Sequence, residues 1–435
     1  MPSTLPEGEP VPDDGALPPE ALAGVGHRGF GVYVHVPFCA SRCGYCDFNT
    51  YTTAELAADP LGFMVDPGRG GSSVDAYLDA VEAELRLARR VLADAAPPAT
   101  SVFFGGGTPT LLGPDQLARL LDRVADTFGL AADAEITTEA NPESVDPPSL
   151  RALRRTGFNR ISLGMQSTAP HVLAVLDRRH TPGRAAAAAG EARAAGFEHV
   201  NLDLIYGTPG ETADDFDASL AAAVAAGADH VSAYSLIVED GTRLAARIRR
   251  GELPMPSDDV AADRYLAAES ALVAAGFAWY EVSNWSLEAP AQCRHNLIYW
   301  RGGDWWGFGP GAHSHVGGVR WWNVKHPSAY SGRLADGRTP AHARELLGPA
   351  ERGLEEVMLR LRLAEGLPLA ALGAAGRNAA GEALAEGLLE PGPYGRGRAA
   401  LTLRGRLLAD GVVLRLVADQ GAELVADQEQ TAACP

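Results

Sequence analysis

The chain has 435 residues, of which 46% are hydrophobic and 21% charged, the balance of an ordinary globular protein with room for one large and one smaller domain. A formal net charge of −18 argues against a nucleic-acid-binding surface. No apolar stretch is long enough to cross a bilayer, and the acidic, Pro-rich start lacks the features of a secretory signal. We therefore expect a cytoplasmic protein in a reducing compartment.

The predicted elements alternate between strand and helix after an irregular start. Residues 1–28 are rich in Pro, Gly and acidic residues without periodicity, so we predict a disordered leader there. The predicted strands are Gly31–Val36, Ser101–Phe104, Glu135–Thr138, Arg160–Leu163, His199–Ile205 and His230–Leu236, with Ala278–Val282 as a weaker seventh. The predicted helices between them are Val74–Leu92, Gln116–Phe128, Pro182–Ala195 and Asp214–Ala226. This alternation predicts an α/β fold with a parallel sheet, closed or partly closed into a barrel.

Residues of functional character follow the predicted strands rather than the helices. A cysteine-rich loop follows the first strand, Gly105–Pro109 the second and Glu139–Pro142 the third. Gln166–Ser167 follows the fourth strand, and Asp203–Pro209 ends the fifth. Because active sites of α/β barrels are built from loops at the C-terminal ends of the strands, we expect these five segments to meet at one mouth. Thr52–Gly71 interrupts the alternation and is predicted as an inserted surface loop.

Three of the five cysteines, Cys39, Cys43 and Cys46, lie within eight residues. The length of the chain and its few, odd-numbered cysteines argue against a disulfide framework. Three thiolates on one loop suit an iron–sulfur cubane that leaves the fourth iron open to a small molecule. A zinc site completed by His35 or by a distant histidine remains the alternative on spacing alone.

The other polar residues at the strand ends are weak signals when taken one at a time. Gly105–Pro109 lacks the P-loop and dinucleotide-binding patterns, but its glycines would let the backbone approach a ligand closely. Glu139 could accept hydrogen bonds from ribose hydroxyls, or it could serve as a cap or ion-pair partner. Gln166, Arg178 and Asp203 are each ordinary surface or capping residues in isolation. Asp203 nevertheless stands in an otherwise apolar strand, where a carboxylate is costly unless it is paired.

The spacing Cys-x3-Cys-x2-Cys, with Tyr45 before the last cysteine, resembles the signature of the radical S-adenosylmethionine (SAM) superfamily. A wider resemblance, from Tyr33 to about Val417, is to the oxygen-independent coproporphyrinogen oxidase-like family and especially its heme-chaperone branch. The stretches that carry it are Tyr33–Cys39, Phe104–Thr110, Arg160–Ser167, Asn201–Gly210, Tyr280–Asn284 and His295–Trp300. The resemblance implies a partial (β/α)6-type radical SAM barrel and a [4Fe–4S] cluster on Cys39, Cys43 and Cys46. It also implies SAM contacts by Tyr33, Gly106, Gly107, Thr108, Glu139, Gln166, Arg178 and Asp203.

Two features distinguish the branches of this family. The coproporphyrinogen dehydrogenases carry a further cysteine two residues after the triad, where this chain has Phe48. The pattern His295-Asn-x-x-Tyr-Trp is associated with heme binding in the chaperone branch, so the resemblance implies that His295 contacts heme. His313, His315 and Cys293 are the further candidates. The aromatic residues nearby could stack on a porphyrin, or they could be the core of a segment that covers the barrel; they are Tyr299, Trp300, Trp305, Trp306 and Phe308.

The predicted domain organisation places the barrel at residues 29–290 and a Gly- and aromatic-rich linker at 291–345. A small C-terminal α+β accessory domain follows at 346–420, and a tail at 421–435. The accessory domain is predicted to contain helices at Glu351–Leu363 and Ala379–Leu389, and β-like segments at Ala400–Leu403 and Gly411–Leu416.

The resemblance implies a heme chaperone that binds a [4Fe–4S] cluster, SAM and heme and delivers heme to apo-hemoproteins. It implies a reducing electron donor as a partner, no nucleic acid, and membrane contact only through the acceptor. SAM cleavage is available to such a protein, but heme binding and transfer is the expected main role, and no catalytic residue is assigned. Two alternatives remain open: oxidative decarboxylation of coproporphyrinogen III, and a radical SAM methyltransferase on the same scaffold.

Overall fold

The structure, a computed structural model, describes residues 7–27, 29–57 and 73–418. Its strands are β1 (Phe30–Val36), β2 (Phe38–Cys39), β3 (Tyr51–Thr52), β4 (Ala99–Gly106), β5 (Leu130–Ala140), β6 (Arg160–Gln166), β7 (His199–Tyr206), β8 (His230–Ser235), β9 (Ala278–Glu281), β10 (Asn284–Ser286), β11 (Asp304–Phe308), β12 (His313–Val316), β13 (Val319–Asn323), β14 (Ala341–Leu346), β15 (Leu367–Pro368) and β16 (Arg398–Ala399).

The helices are α1 (Pro19–Leu22), α2 (Thr53–Ala57), α3 (Ser73–Leu92), α4 (Gly113–Phe128), α5 (Pro147–Arg155), α6 (Pro170–Val175), α7 (Arg184–Ala195), α8 (Ala213–Ala225), α9 (Arg243–Arg249), α10 (Asp258–Ala274), α11 (Arg294–Trp300), α12 (Pro327–Ala335), α13 (Pro349–Arg360), α14 (Ala374–Ala385), α15 (Pro391–Gly395), α16 (Leu403–Leu407) and α17 (Ala409–Leu416). No helix among the described residues is both long and apolar enough to cross a membrane.

One twelve-stranded sheet organises the fold, in the order β14-β13-β12-β11-β1-β4-β5-β6-β7-β8-β10-β9. From β11 to β8 the strands are parallel, and the strands beyond them at both ends pair antiparallel. The predicted α/β partial barrel is therefore confirmed. The six main predicted strands are present, whereas Ala278–Val282 forms β9 in an antiparallel hairpin with β10 at the edge.

Alternation along β1 shows how the sheet separates the core from the barrel interior. Val32, Val34 and Val36 are fully buried in the main hydrophobic core with the helices. Tyr33 lies between them on the other side of the strand and lines a cavity inside the barrel. This alternation follows from the two-residue repeat of a strand.

The segment predicted as a linker, residues 291–345, is instead part of the sheet. It contributes α11, the parallel strand β11 and the antiparallel strands β12, β13 and β14. The strand β11 has the sequence Asp-Trp-Trp-Gly-Phe and is largely buried on both faces, so it shows no polar–apolar alternation. Its glycine and paired tryptophans therefore suggested a loop.

Two other predictions, one for the N-terminal segment and one for the C-terminal unit, differ from the structure. Within the predicted disordered leader, residues 7–27 pack on the barrel: the Glu9 amide donates to Arg344 O at 2.9 Å, and Ala21 is buried. The predicted β-like segment Gly411–Leu416 is helical, because Val412, Val413 and Leu416 are buried at helical spacing. Tertiary burial overrides the strand preference of valine there. Residues 58–72 of the predicted inserted loop and the predicted tail lie outside the described residues.

The C-terminal helices form a second hydrophobic core that includes Val357, Leu361, Ala380 and Val413. This unit contacts the barrel through an ion pair between Arg406 and a barrel helix, with Nη2 2.7 Å from Glu269 Oε1. The first helix of the unit, α13, closes one side of the cavity inside the barrel.

Candidate functional site

The three clustered cysteines lie on a loop that is attached to two other segments of the barrel. Cys39 ends β2, which pairs with β3, and the Cys46 amide donates to Cys43 O at 3.4 Å. Gly44 donates to Leu176 O at 2.9 Å and accepts from the Leu244 amide at 2.8 Å. All three thiols are free and partly exposed. The loop is thus held in place while its sulfur atoms remain available.

Burial favours the protonated thiols of Cys39 and Cys46 when nothing is bound. It raises the pKa of Cys46 to about 11 and also raises the pKa of Cys39. Thiolate ligands must lose their protons when they bind iron, so loading this loop releases protons and is favoured by higher pH.

The glycine-rich loop after β4 is tied directly to the cysteine loop. The Gly107 amide donates to Val36 O at 2.8 Å, and the Thr108 amide donates to Phe38 O at 2.7 Å. Gly106 has a φ of +107°, and a Cβ placed there would lie 2.5 Å from His35 Cε1. A Cβ on Gly107 would lie 2.5 Å from Phe38 O. Only glycine therefore fits at both positions.

Two half-buried carboxyl groups, Glu139 and Asp203, face the same interior. The Gly106 amide donates to Glu139 Oε2 at 3.0 Å, while burial and then the nearby Asp203 raise the pKa of Glu139 to about 8. Asp203 accepts from Ser162 Oγ at 2.9 Å and from Asn201 Nδ2 at 2.7 Å. Burial nevertheless raises the pKa of Asp203 above its ordinary value. The oxygen atoms of both carboxyl groups can accept hydrogen bonds from a ligand. Such bonds stabilise the charged form of the pair, which burial disfavours.

Gln166 and Arg178 lie at the end of β6. Gln166 adopts a φ of +65° next to a register shift between β6 and β7. Its Oε1 is buried with no hydrogen-bond partner among the described residues. Arg178 donates from Nη2 to Gly164 O at 2.7 Å, and its Nη1 lies 3.6 Å from Cys43 Sγ. This arginine connects the strand end to the cysteine loop.

The predicted SAM and cluster residues are brought together and fit the groups that the sequence implies. Three free thiols are the ligand type for iron–sulfur clusters. The glycine loop packs directly against the cysteine loop, and the unpartnered Gln166 Oε1 can accept a hydrogen bond from a ligand. Within the described ranges, no three His, Cys, Asp or Glu side chains surround a single metal-ion position. Each thiolate of a cubane binds a different iron.

His35 is a site residue that the sequence analysis considered only as a zinc ligand. Its Nδ1 lies 3.0 Å from Tyr33 Oη, and its Nε2 lies 2.9 Å from Asn49 O. Burial lowers its pKa to about 4, so the ring is neutral. It links β1 to the segment after the cysteine loop. Its place two residues after Tyr33 in β1 is the signal that could have found it.

A cavity of about 620 Å³ extends from the SAM residues into the predicted heme region. It is lined by Tyr33, Phe103, Glu139, His295, Asn296, Tyr299, Gly302, Trp305, His313, His315, Arg320, Glu355, Met358 and Leu359. This volume lies within the roughly 300–1,000 Å³ of ligand pockets, and aromatic walls with a few polar groups are typical of them. One continuous space therefore joins the Tyr33–Glu139 region to the face of the added strands.

Of the aromatic residues predicted to stack on a porphyrin, only some reach this cavity. Tyr299 and Trp305 line it, with ring centroids 4.6 Å apart. Trp306 and Phe308 instead lie in the main core. Phe103 was missed, although its place beside Phe104 in an alternating strand puts one of the two inside the barrel. The contributions of α13 could not be foreseen, because they depend on how the C-terminal unit docks.

His295 lies in the cavity wall with its imidazole held on both sides. Its Nδ1 is 2.8 Å from Ser101 Oγ and its Nε2 is 2.7 Å from Tyr299 Oη. Its backbone amide donates to Glu135 Oε1 at 3.1 Å. Burial lowers the pKa of the ring to about 3, so it is neutral. The His295 ring can contact a ligand from its place in the cavity wall. It can bind iron only if one of these two hydrogen bonds breaks.

The three further heme candidates differ in their positions. Cys293 is buried and donates from Sγ to Glu135 at 3.6 Å, and it does not line the cavity. His315 lines the cavity and donates from Nδ1 to Gly303 O at 2.8 Å. His313 also lines it, and its Nε2 is buried without a hydrogen-bond partner in the described part of the chain. Burial lowers the pKa of His313 to about 4.

The barrel, its cysteine loop and its strand-end residues together define a radical SAM protein. The family model of the radical SAM superfamily matches residues 33–223. The solved structure of coproporphyrinogen III oxidase (HemN) from Escherichia coli, described as a radical SAM enzyme, superimposes with a TM-score of 0.75. It covers 91% of this chain and 92% of that one at 24% identity, which shows the shared fold.

More similar sequences specify the family. The chain is 57% identical over 396 residues to the heme chaperone HemW of Mycobacterium tuberculosis strain H37Rv, covering 91% of this chain and 97% of that protein. It is 34% identical over 336 residues to the heme chaperone HemW of Bacillus subtilis strain 168, covering 77% and 84%. The chain therefore belongs to the HemW family of radical SAM proteins, and the resemblance found in its sequence is confirmed.

Proposed function

We propose that this protein is a heme chaperone that binds heme in the barrel cavity and delivers it to apo-hemoproteins. The observation that carries the proposal is the 57% identity to a HemW heme chaperone over nearly the whole length of both chains. The continuous aromatic-lined cavity supports it, because a flat apolar macrocycle requires such walls.

Cys39, Cys43 and Cys46 would hold a [4Fe–4S] cluster, and the strand-end residues would hold SAM. The SAM contacts proposed are Tyr33, Gly106, Gly107, Thr108, Glu139, Gln166, Arg178 and Asp203. When bound, the cluster supplies reductive SAM chemistry at its open iron, for which a reducing electron donor is required. The chain's own contribution is positional: the bonds from Gly107 and Thr108 fix the glycine loop against the cysteine loop.

His295 would contact heme as part of the cavity wall. Its hydrogen bonds to Ser101 and Tyr299 hold the His295 and Tyr299 rings in one arrangement. The phenol of Tyr299 in turn packs edge-on against Trp305. Together these rings form an apolar surface with fixed orientation, which lowers the entropy cost of binding a rigid ligand.

Hemin titration of the anaerobically reconstituted, full-length protein tests the proposal, with the coproporphyrinogen III decarboxylase assay run beside it. We expect saturable binding with a shifted Soret band and no conversion of coproporphyrinogen III. Robust decarboxylation, or the absence of hemin binding, would overturn the chaperone assignment.

The cluster ligands are tested separately with Cys43→Ser. This variant should lose the broad iron–sulfur absorption, because one iron loses its thiolate. Cys293→Ser is the matched control, since that thiol is buried away from the cysteine loop and should leave the absorption unchanged. A full cluster in Cys43→Ser would contradict the ligand assignment.

A further inference from the structure

We propose that His230 is a positioning residue that holds Asp203 in the orientation in which it binds SAM. The proposal rests on the SAM contact by Asp203 proposed above and adds the residues that fix this carboxylate. His230 lies in β8, which pairs with the strand β7 that carries Asp203, and its side chain is buried. Asn201 is hydrogen-bonded to both side chains, so His230 acts on Asp203 through Asn201.

The first link is the side-chain amide of Asn201. Its Nδ2 donates to Asp203 Oδ1 at 2.7 Å and to Ser162 Oγ at 2.8 Å. A carboxylate can only accept hydrogen bonds, so the nitrogen of the amide has to face it. If the amide turned over, its oxygen would face the carboxylate, and two acceptors would repel each other at hydrogen-bond distance. The orientation of Asp203 therefore depends on which way the Asn201 amide is turned.

His230 fixes the amide from its other side. Its Nδ1 lies 2.6 Å from Asn201 Oδ1, and Ser232 Oγ donates to the same oxygen at 3.3 Å. Burial, and then the nearby charge of Arg160, lower the pKa of His230 well below its ordinary value, so the ring is neutral and carries one N–H. Because Asn201 Oδ1 accepts, that hydrogen is on Nδ1. The Nε2 atom is then an acceptor, and it receives the hydroxyl hydrogen of Tyr280 at 2.8 Å.

The chain of hydrogen bonds continues to the start of α11. Tyr280 Oη accepts from the backbone amide of Cys293 at 3.1 Å, and Cys293 is the residue that precedes α11. Every donor in the chain therefore points the same way, in the order Cys293, Tyr280, His230, Asn201 and Asp203. A buried chain in which each donor has its acceptor strongly favours one arrangement, so it fixes the amide beside the carboxylate. It also connects the SAM contact to the helix that carries the predicted heme residue.

The competing explanation is that His230 only fills space inside the protein. Its side chain is buried, and its ring packs edge-on against Tyr280 with the centroids 5.5 Å apart. A residue that only fills space would alter SAM binding in step with its effect on stability. A positioning residue alters SAM binding through one hydrogen bond, whatever happens to the melting temperature. Variants that change stability and hydrogen bonding separately therefore distinguish the two roles.

The test is anaerobic SAM titration and thermal melting of the reconstituted full-length protein and of three variants. We expect His230→Leu to bind SAM about tenfold more weakly, near the lower end of what a hydrogen bond to a charged group contributes. His230→Asn should recover most of this affinity even if it melts no higher, because its amide nitrogen is as many bonds from the backbone as Nδ1 of histidine. Val231→Ala is the matched control. Its side chain faces the main core on the other side of β8, so it should lower the melting temperature and leave SAM affinity unchanged.

The outcomes separate the positioning role from the SAM contact itself. Wild-type SAM affinity in His230→Leu, equal losses in His230→Leu and His230→Asn, or an affinity that follows the melting temperature would each refute the positioning role. If the wild-type protein binds no SAM, or if Asp203→Asn binds it as tightly as the wild type, the SAM contact fails and the positioning role fails with it. Where His230→Leu does not fold, Tyr280→Phe replaces it, because loss of the hydroxyl lets the ring proton move to Nε2. A smaller loss of SAM affinity is then expected, and an unchanged affinity would refute the role.

Discussion

Replacing Gly107 with alanine should weaken SAM binding by disturbing the junction between the two loops. The added Cβ would lie 2.5 Å from Phe38 O and 3.0 Å from Val36 O. Carbon–oxygen contacts of this kind are comfortable at about 3.5 Å, so the shortfall is about 1 Å. Both obstacles are backbone atoms that accept hydrogen bonds from Gly107 and Thr108 themselves, so neither can move without breaking a bond of the junction.

The expected magnitude follows from the cost of overpacking a tight site, which is about 1–3 kcal/mol. We therefore expect Gly107→Ala to melt a few degrees below the wild type and to bind SAM about five- to 140-fold more weakly, since about 1.4 kcal/mol corresponds to a factor of ten. The measurements are thermal melting of the apoprotein and anaerobic SAM titration by calorimetry.

The matched control is Gly190→Ala. Gly190 lies in α7, and a Cβ there would have nothing within 4 Å. Alanine has the higher helix propensity, so this variant should be stabilised by up to about 1 kcal/mol and should bind SAM normally. Wild-type SAM affinity in Gly107→Ala would refute the idea that the contact between the two loops positions SAM.

Three further predictions concern charged side chains in and around the barrel. Glu139 has a pKa of about 8 in the folded apoprotein against an ordinary value near 4.5, so the native state keeps a proton that the unfolded chain loses between these pH values. Its contribution to stability therefore falls as pH rises from about 4.5 through 8. The melting temperature of Glu139→Gln minus that of the wild type should therefore increase between pH 5 and pH 9. A difference that stays constant over this range would show that the carboxyl does not titrate there. Glu135→Ala should destabilise the protein by about 3–5 kcal/mol in urea unfolding, because it leaves the buried Arg160 unpaired. The exposed Glu252→Ala should have little effect, and equal effects of the two variants would contradict the argument from burial. Arg178→Met should lower the iron content after reconstitution, because the guanidinium beside the cysteine loop is lost, and unchanged iron with unchanged SAM affinity would remove Arg178 from the site.

The sequence alone determined the barrel and the order of its site-bearing loops. The alternation of short strand-like segments such as Gly31–Val36 with helical segments is a local property, and it predicted the sheet because strands joined through helices pair in parallel. The same logic located the cysteine loop and the residues Glu139, Gln166 and Asp203 at strand ends. Their convergence followed from the parallel connection of successive strands, which places those ends on one side of the sheet.

Only the tertiary structure decided what surrounds the cavity. Strand β11 is buried on both faces, so its sequence carries no alternation and suggested a linker. Residues 7–27 and α17 likewise owe their conformation to surfaces far away in the chain, which local propensity does not report. The orientation of the His295 ring depends on hydrogen bonds to Ser101 and Tyr299, contacts that exist only once α11 has packed against the barrel. Hydrogen-bond satisfaction is a property of the folded neighbourhood, so no motif could show that both nitrogens of the His295 ring are engaged.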